Sequence, residues 1–191
     1  MSRFFRDRSD ESRMKTTLTL CSKEDAYVIK NLWPLYVHDI AAFEPMQTNT
    51  HGLLGVGESV ETIAQQCEKL DDWWGDPKVL FPYLIRIDGI PAGFSLVASR
   101  SRLPEGIDAD FVVYEFFLTH SARSSGAAEE AAIAGFELHR GKWEVVTWPT
   151  HDRAIAFWRR VLGRYKAARD VSEAEVDHPF GRRVAFHFEN G

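Results

Sequence analysis

Residues 111–132 hold the side chains best suited to chemistry. The run Phe111-Val-Val-Tyr-Glu-Phe-Phe-Leu118 is apolar except for one carboxylate, Glu115. Burial pushes such an acid toward neutrality, where a general base is most useful. His120, in the polar turn just beyond, is the runner-up base. Then comes Arg123-Ser124-Ser125-Gly126-Ala127-Ala128. A guanidinium fork, free N–H groups at a helix start and a glycine that lets backbone come close together suit a phosphate.

A strand, a tight turn and a helix must position these groups. The apolar run predicts a buried strand over 110–118. After the turn, Ala128, Ala131, Ala132, Gly135 and Phe136 recur at helical spacing. They predict a helix over 125–139 whose small-residue face packs closely on a sheet, with Arg140-Gly141 ending it. Upstream, residues 1–14 read as a mobile arm, and 16–21 alternates as a first strand. Ser22 caps a helix with Ala26, Ile29, Leu32, Trp33 and Tyr36 on one side, kinked or broken near Trp33 by Pro34. A glycine-rich loop covers 43–57. A helix follows over 58–70, with Val60, Ile63, Ala64 and Cys67 on one face, and a linker carries Trp73 and Trp74. Strands over 79–87 and 90–99 flank the hairpin signal Asp88-Gly89. Downstream, a strand over 143–148 leads to a helix with Ala154, Phe157, Trp158, Val161 and Leu162 in phase, closed by Gly163. Strands over 165–171 and 183–188 end the chain. The order reads as one α/β domain over 15–191 with a mixed sheet.

The chain has 191 residues, 45% hydrophobic and 27% charged, as expected of a soluble domain with a sizeable core. A net charge of −5 argues against nucleic acid as a partner. No apolar run approaches the ~18 residues of a membrane span, and no secretory signal opens the chain, so a cytoplasmic location is expected. Cys21 and Cys67 form no spacing motif, and the seven histidines do not fall into metal-ligand spacing, so no metal is expected.

Arg123-x-x-Gly126-x-Ala128 resembles the acyl-CoA-binding motif of the GCN5-related N-acetyltransferases. A second signature of that family is similar to His151-Asp-Arg-Ala154-Ile-Ala-Phe157-Trp158, with Gly163 near the helix end. The two motifs stand in the family's order with a strand between them. Glu115-Phe-Phe and Gly141-Lys-Trp-Glu look like a subgroup of small bacterial acetyltransferases. The resemblance covers residues 20–170. It implies a mixed, mostly antiparallel twisted sheet of about six to seven strands, flanked by about four helices, with the fourth and fifth strands splayed apart. Two positions depart from the family. His151 replaces an Asn that often contacts the cofactor. Trp158 replaces the Tyr that in many members protonates the leaving thiolate, which an indole N–H cannot do.

The implied activity is direct transfer of an acetyl group from acetyl-CoA to a primary amine of a small molecule. The resemblance assigns the pyrophosphate to backbone N–H groups of 123–128, the pantetheine to the backbone of Phe117, Leu118 and Thr119, and thioester polarisation to an N–H near Leu118. His151, Phe157 and Trp158 belong to the same cofactor set. Glu115 is the expected base. Tyr165 or Tyr114 is the candidate acid. The acceptor pocket is expected from the first helices, the loop 43–57 and the region of Trp73, where Glu44, Glu58, Asp71 and Asp72 lie among Trp33, Trp73 and Trp74. Two alternatives stay open: a sensor that holds acyl-CoA without turnover, and a transferase acting on a protein or peptide amine. A second copy of the chain is a further partner to consider.

Overall fold

The structure is a computed structural model that describes residues 14–123 and 125–191. The expected arm thus lies outside the described residues except for Met14, as does Ser124. The elements run β1 (Thr16–Leu20), α1 (Ala26–Ile40), α2 (Ile63–Gln66), β2 (Leu80–Ile87), β3 (Ile90–Ser99), β4 (Phe111–Leu118), α3 (Ala127–Glu137), β5 (Lys142–Thr147), α4 (Asp152–Arg164), β6 (Arg169–His178) and β7 (Gly181–Glu189). One seven-stranded sheet has the order β1-β2-β3-β4-β5-β7-β6. Among the described residues only β4 and β5 pair in parallel; every other strand pairing is antiparallel. The β2–β3 turn is the expected hairpin, with Asp88 and Gly89 both at positive φ.

The two faces of the sheet carry separate cores. On one, Ile29, Trp33, Tyr36 and Val37 of α1 pack with Leu84, Phe94, Leu96 and Phe117. On the other, Ala132 and Phe136 of α3 and Ile155, Trp158, Val161 and Leu162 of α4 pack with Val97, Val113, Trp143, Val145 and Phe186. The period of two along β4 therefore sends Glu115 and Phe117 toward α1.

Several expectations are corrected. Pro34 does not break α1, which runs unbroken from Ala26 to Ile40. The ring removes the N–H that would reach Lys30, and the freed Lys30 carbonyl accepts Cys67 Sγ at 3.4 Å instead. Asp25, not Ser22, is the N-cap residue, while Ser22 Oγ accepts the Asp25 N–H at 3.2 Å. The helix expected over 58–70 shrinks to Ile63–Gln66, followed by a 3₁₀ turn over Glu68–Trp74. A capping box between Thr62 and Gln65 fixes its start. Asn49 holds the preceding segment by bonds to the carbonyls of Gly57 and Val60. Gln66 turns inward to the Leu54 carbonyl, and Ile63 faces solvent. The penultimate strand begins at Arg169 rather than 165. It is an edge strand exposed over most of its length, so it shows no apolar alternation.

The inward face of α3 is Ala127, Ala131, Ala132, Gly135 and Phe136, one position away from expectation at its start, with Ala128 only half-buried. Close packing there leaves no room for branching. Ala132→Leu should destabilise the fold by about 1–3 kcal/mol, read as a lower urea midpoint at unchanged m-value.

Candidate active site

The site begins where β4 and β5 part. Their parallel pairing covers only Phe111 to Val113 against Trp143 to Val145. On its other side β4 shifts register against β3, so that Leu96 meets Glu115 while Val97 meets Val113. Tyr114 is the extra residue, a bulge at the point of divergence. Beyond it the β5-facing edge of β4 has no strand partner. Thr119 donates to Ala92 on β3 at 2.8 Å. Alternation along the strand therefore turns the N–H of Leu118 into the cleft.

Glu115 occupies the parting. The hydroxyl of Tyr36, on α1, donates to its Oε2. Burial pushes its carboxyl up from an ordinary 4.5 to about 8, against a smaller downward pull from Arg183. Two cavities meet at this side chain. One, of about 570 Å³, is walled by Trp33, Trp73 and Tyr114, with Asp72, Lys69 and Arg102 supplying charge. The other, of about 350 Å³, reaches between β4 and β5 to Trp148, His151, Phe180 and Arg183. Tyr36 lines both, and also a third groove of about 410 Å³ beside them.

That third groove brings together six of the residues expected at the cofactor, with His120 beside them. It is lined by Phe117, Leu118, His120, Arg123, Ala128, His151 and Phe157, and by two residues the sequence did not single out for binding, Arg153 and Asp39. Three arginines, Arg123, Arg153 and Arg160, make it basic in an acidic chain. The start of α3 opens beside it. Gly126 is its N-cap, at φ 83°, a left-handed conformation suited to glycine. The first turn of α3 leaves amide N–H groups without intrahelical acceptors. Such a donor-rich groove fits an elongated anionic cofactor.

Some expected donors are already engaged. Arg123 Nε donates to the Leu118 carbonyl at 2.9 Å, its other arm pairs with Asp39, and its guanidinium lies 5.7 Å from the centre of the Phe117 ring. The Arg123 N–H goes to the His120 carbonyl, and Ala127 N–H leans on Ser125 Oγ at 3.3 Å. Among the described residues the remaining members of the turn are Ser125, Gly126 and Ala128. His151 stacks on Phe43 at 3.7 Å, and its Nδ1 is buried with no partner. Burial, then Arg123 and Arg153, hold this imidazole below its ordinary value, so it faces the cleft neutral.

Other expected residues fall elsewhere. Tyr165 lines none of these cavities. It caps α4 and packs against Phe136 and Phe188, its hydroxyl accepting from Asn190 at 3.1 Å. Its place after an amphipathic helix made it a core residue. Trp158 is buried against Phe116, Phe136 and Phe157, touching the cleft only as packing. His120 is exposed on the groove and lines neither cavity that meets Glu115. Of the acceptor residues, Trp33, Trp73 and Asp72 line the larger cavity and Glu44 the smaller. Asp71 pairs outward with Lys30, Glu58 holds Thr50, and Trp74 donates to the Cys21 carbonyl. Tyr36 was legible only as part of an apolar face. The clue was Asp39 three residues on, which places a second polar group on the same side of α1.

No protein-family model matches the sequence, and no curated protein does. Solved structures do match. The chain is similar to aminoglycoside acetyltransferase AAC(6')-Ib in complex with coenzyme A, with a TM-score of 0.64 at 17% identity, covering 92% of this chain and 95% of that one. It is similar to an acetyltransferase from Thermus thermophilus, with a TM-score of 0.60 at 12% identity, covering 92% and 97%. It also resembles the ribosomal-protein-S5-alanine acetyltransferase from Vibrio fischeri, with a TM-score of 0.58 at 13% identity, covering 92% and 93%. The likeness is one of fold. With its parted strands and its turn before α3, the chain has the fold of the GCN5-related N-acetyltransferases.

Two outcomes follow from this geometry. Between about pH 4.5 and 8 the native state keeps the Glu115 proton that the unfolded chain has released, so this group's contribution to stability falls as pH rises through that window. Glu115→Gln should flatten that fall, seen in denaturation midpoints taken across the window. Gly126→Val forces a branched residue into a left-handed turn beside the groove. It should weaken acetyl-CoA binding by at least about tenfold, or ~1.4 kcal/mol, by calorimetry on a folded variant.

Proposed function

We propose that the protein is an acetyl-CoA-dependent N-acetyltransferase acting on a primary amine of a small molecule. One observation carries this reading. The half-buried acid at the strand parting stands between a basic groove and an aromatic-walled cavity, and a phenol from α1 is hydrogen-bonded to it. The fold supports it too. AAC(6')-Ib is solved with coenzyme A and kanamycin, so this architecture can hold a nucleotide thiol and an amine-bearing small molecule together.

Acetyl-CoA, when bound, supplies a thioester carbon open to attack by an amine, and no covalent enzyme intermediate is needed. Arg153, Arg160 and the turn 125–128 would hold its phosphates. The unpaired edge at Leu118 would hold the pantetheine arm. The Leu118 N–H, turned into the cleft, would stabilise the charge that develops on the carbonyl oxygen. His151 Nδ1 offers the cofactor a neutral hydrogen-bonding partner.

Glu115 takes the proton from the incoming ammonium. A simple alkylamine resembling Lys, with a pKa of about 10.4, is almost wholly protonated at neutral pH and has no lone pair to donate. The base accepts only when ionised, and its carboxyl titrates near 8. Tyr36 holds the carboxylate in place. Its phenol lines the cleft on the cofactor side as well, so it takes the acid role that Trp158 cannot fill and Tyr165 does not reach.

Thiol release should therefore appear with acetyl-CoA and one or more small amines. The kcat/KM for the acceptor should climb with pH toward a limb near 8. Glu115→Gln should lower kcat/KM by about 10²–10⁴ and remove that limb while acetyl-CoA affinity stays nearly constant. A Gln variant with near-wild-type rate and the same limb would make Glu115 structural.

A further inference from the structure

The turn between β6 and β7 is tied to a buried cluster that the proposed reaction does not use. Glu144 on β5 meets two histidines. His178 Nε2 lies 3.2 Å from its Oε1, and His187 Nε2 lies 2.7 Å from its Oε2. Glu144 and His178 are both buried. Burial alone would raise the Glu144 carboxyl, but the hydrogen bonds from His187 and His178 outweigh it and hold the group below its ordinary value. The other nitrogen of His178, Nδ1, accepts the Phe180 N–H at 3.2 Å. An accepting Nδ1 places the ring hydrogen on Nε2, where it is donated to Glu144. A continuous chain thus runs from a central strand, through one imidazole of fixed tautomer, to the backbone of Phe180.

Phe180 sits at the edge of the site. Its ring is 40% exposed for a large apolar side chain. It lies 5.5 Å from Tyr114 and 4.9 Å from His178. With Arg183 it lines the cavity of about 350 Å³ that ends at Glu115. Little else presses this turn inward, because residues 169–175 of β6 are exposed. Apolar packing could hold the strands together but could not set the angle of the Phe180 amide. A hydrogen-bond acceptor with no freedom to move does set it.

We infer that Phe180 is a specificity-determining wall of the smaller of the two cavities that meet at Glu115, and that Glu144, His178 and His187 are the positioning residues that hold it there. This rests on the transferase reading above. The ring packs against Tyr114 in the wall of the cavity, so its size limits how bulky an amine can approach Glu115 from this side.

The test compares Phe180→Ala, His178→Gln and the double variant with wild type, on one small and one bulky primary amine. Phe180→Ala should shift the ratio of kcat/KM toward the bulky amine by about tenfold, with the KM for acetyl-CoA unchanged. Gln at 178 keeps a donor for Glu144 but offers no acceptor at the Nδ1 position. His178→Gln should move the acceptor KM in the same direction with kcat nearly held. In the double variant it should add nothing to Phe180→Ala, since the ring it positions is gone. Unchanged selectivity in Phe180→Ala overturns the wall, and an undiminished His178→Gln effect in the double variant overturns the positioning. A second readout needs no activity. Protein carrying 4-fluorophenylalanine at position 180 should show its fluorine resonance shift or broaden with His178→Gln, and an unmoved line overturns the positioning. If wild type acetylates no amine, the transferase reading fails by itself, and the fluorine line still decides whether the cluster positions residue 180.

Discussion

Two parallel strands that stay paired for only three residues are the constraint on which this structure turns. Past Val113 and Val145 the backbone hydrogen bonds between β4 and β5 end, and an unpaired polar edge inside a protein must find other partners. Arg123 takes the Leu118 carbonyl. An aromatic wedge keeps the gap from closing. Phe116 stacks with Phe157 at 5.7 Å and meets Trp158 edge-on at 5.3 Å. The indole at position 158 is therefore a prop. It fills the base of the cleft, and the phenol that reaches Glu115 comes from the opposite wall, where α1 delivers Tyr36.

Charge is distributed to match. The chain is acidic overall, yet three arginines converge on one groove. Their neighbours show how they are kept there. Arg160 and Arg164 share Glu129 across α3 and α4, at 3.4 and 2.9 Å. Asp39 on α1 pairs with Arg123 across the mouth of the groove. Such half-exposed pairs stabilise a fold only slightly. Their effect here is orientation. The adjacent arginine of the sequence, Arg159, turns away and spends both arms on Glu173, so two neighbouring residues of one type serve different surfaces of the same helix.

The parts of this architecture legible in the sequence are those where local pattern and tertiary environment agree. The β4 run, the Asp88-Gly89 hairpin and the apolar phase of α4 each carry their own signal, and each formed near its expected bounds. Glu115 stood out because a lone acid in an apolar strand has few harmless explanations. The rest depended on distant contacts. Pro34 predicts a break that packing on β3 overrides. The stretch 58–70 carries a helical phase, but the bond from Asn49 to the Val60 carbonyl holds its start as loop, and only Ile63–Gln66 forms α-helix. Tyr36 and Phe180 became site residues only through topology, since the first looked like core and the second like a turn. Tyr165 lies apart from the three cavities for the converse reason: a phenol near a motif in sequence is not near the cleft unless the sheet brings it there.

The outermost strand has a bearing on how the molecule behaves in company. β6 offers one side of its backbone to water, and an open strand edge is a template on which another chain can build. Here that edge carries Arg169, Asp170, Glu173, Glu175 and Asp177, and its register against β7 slips between Arg169 and Ser172. Glu173 and Glu175 are held in ion pairs with Arg159 and Arg182, so the edge presents fixed charged side chains, and the slip spoils the straight ladder that an incoming strand would need. The sheet thus ends in a boundary guarded by hydrated ion pairs and uneven spacing, which leaves the terminal hairpin free to shape a pocket without inviting the molecule to polymerise.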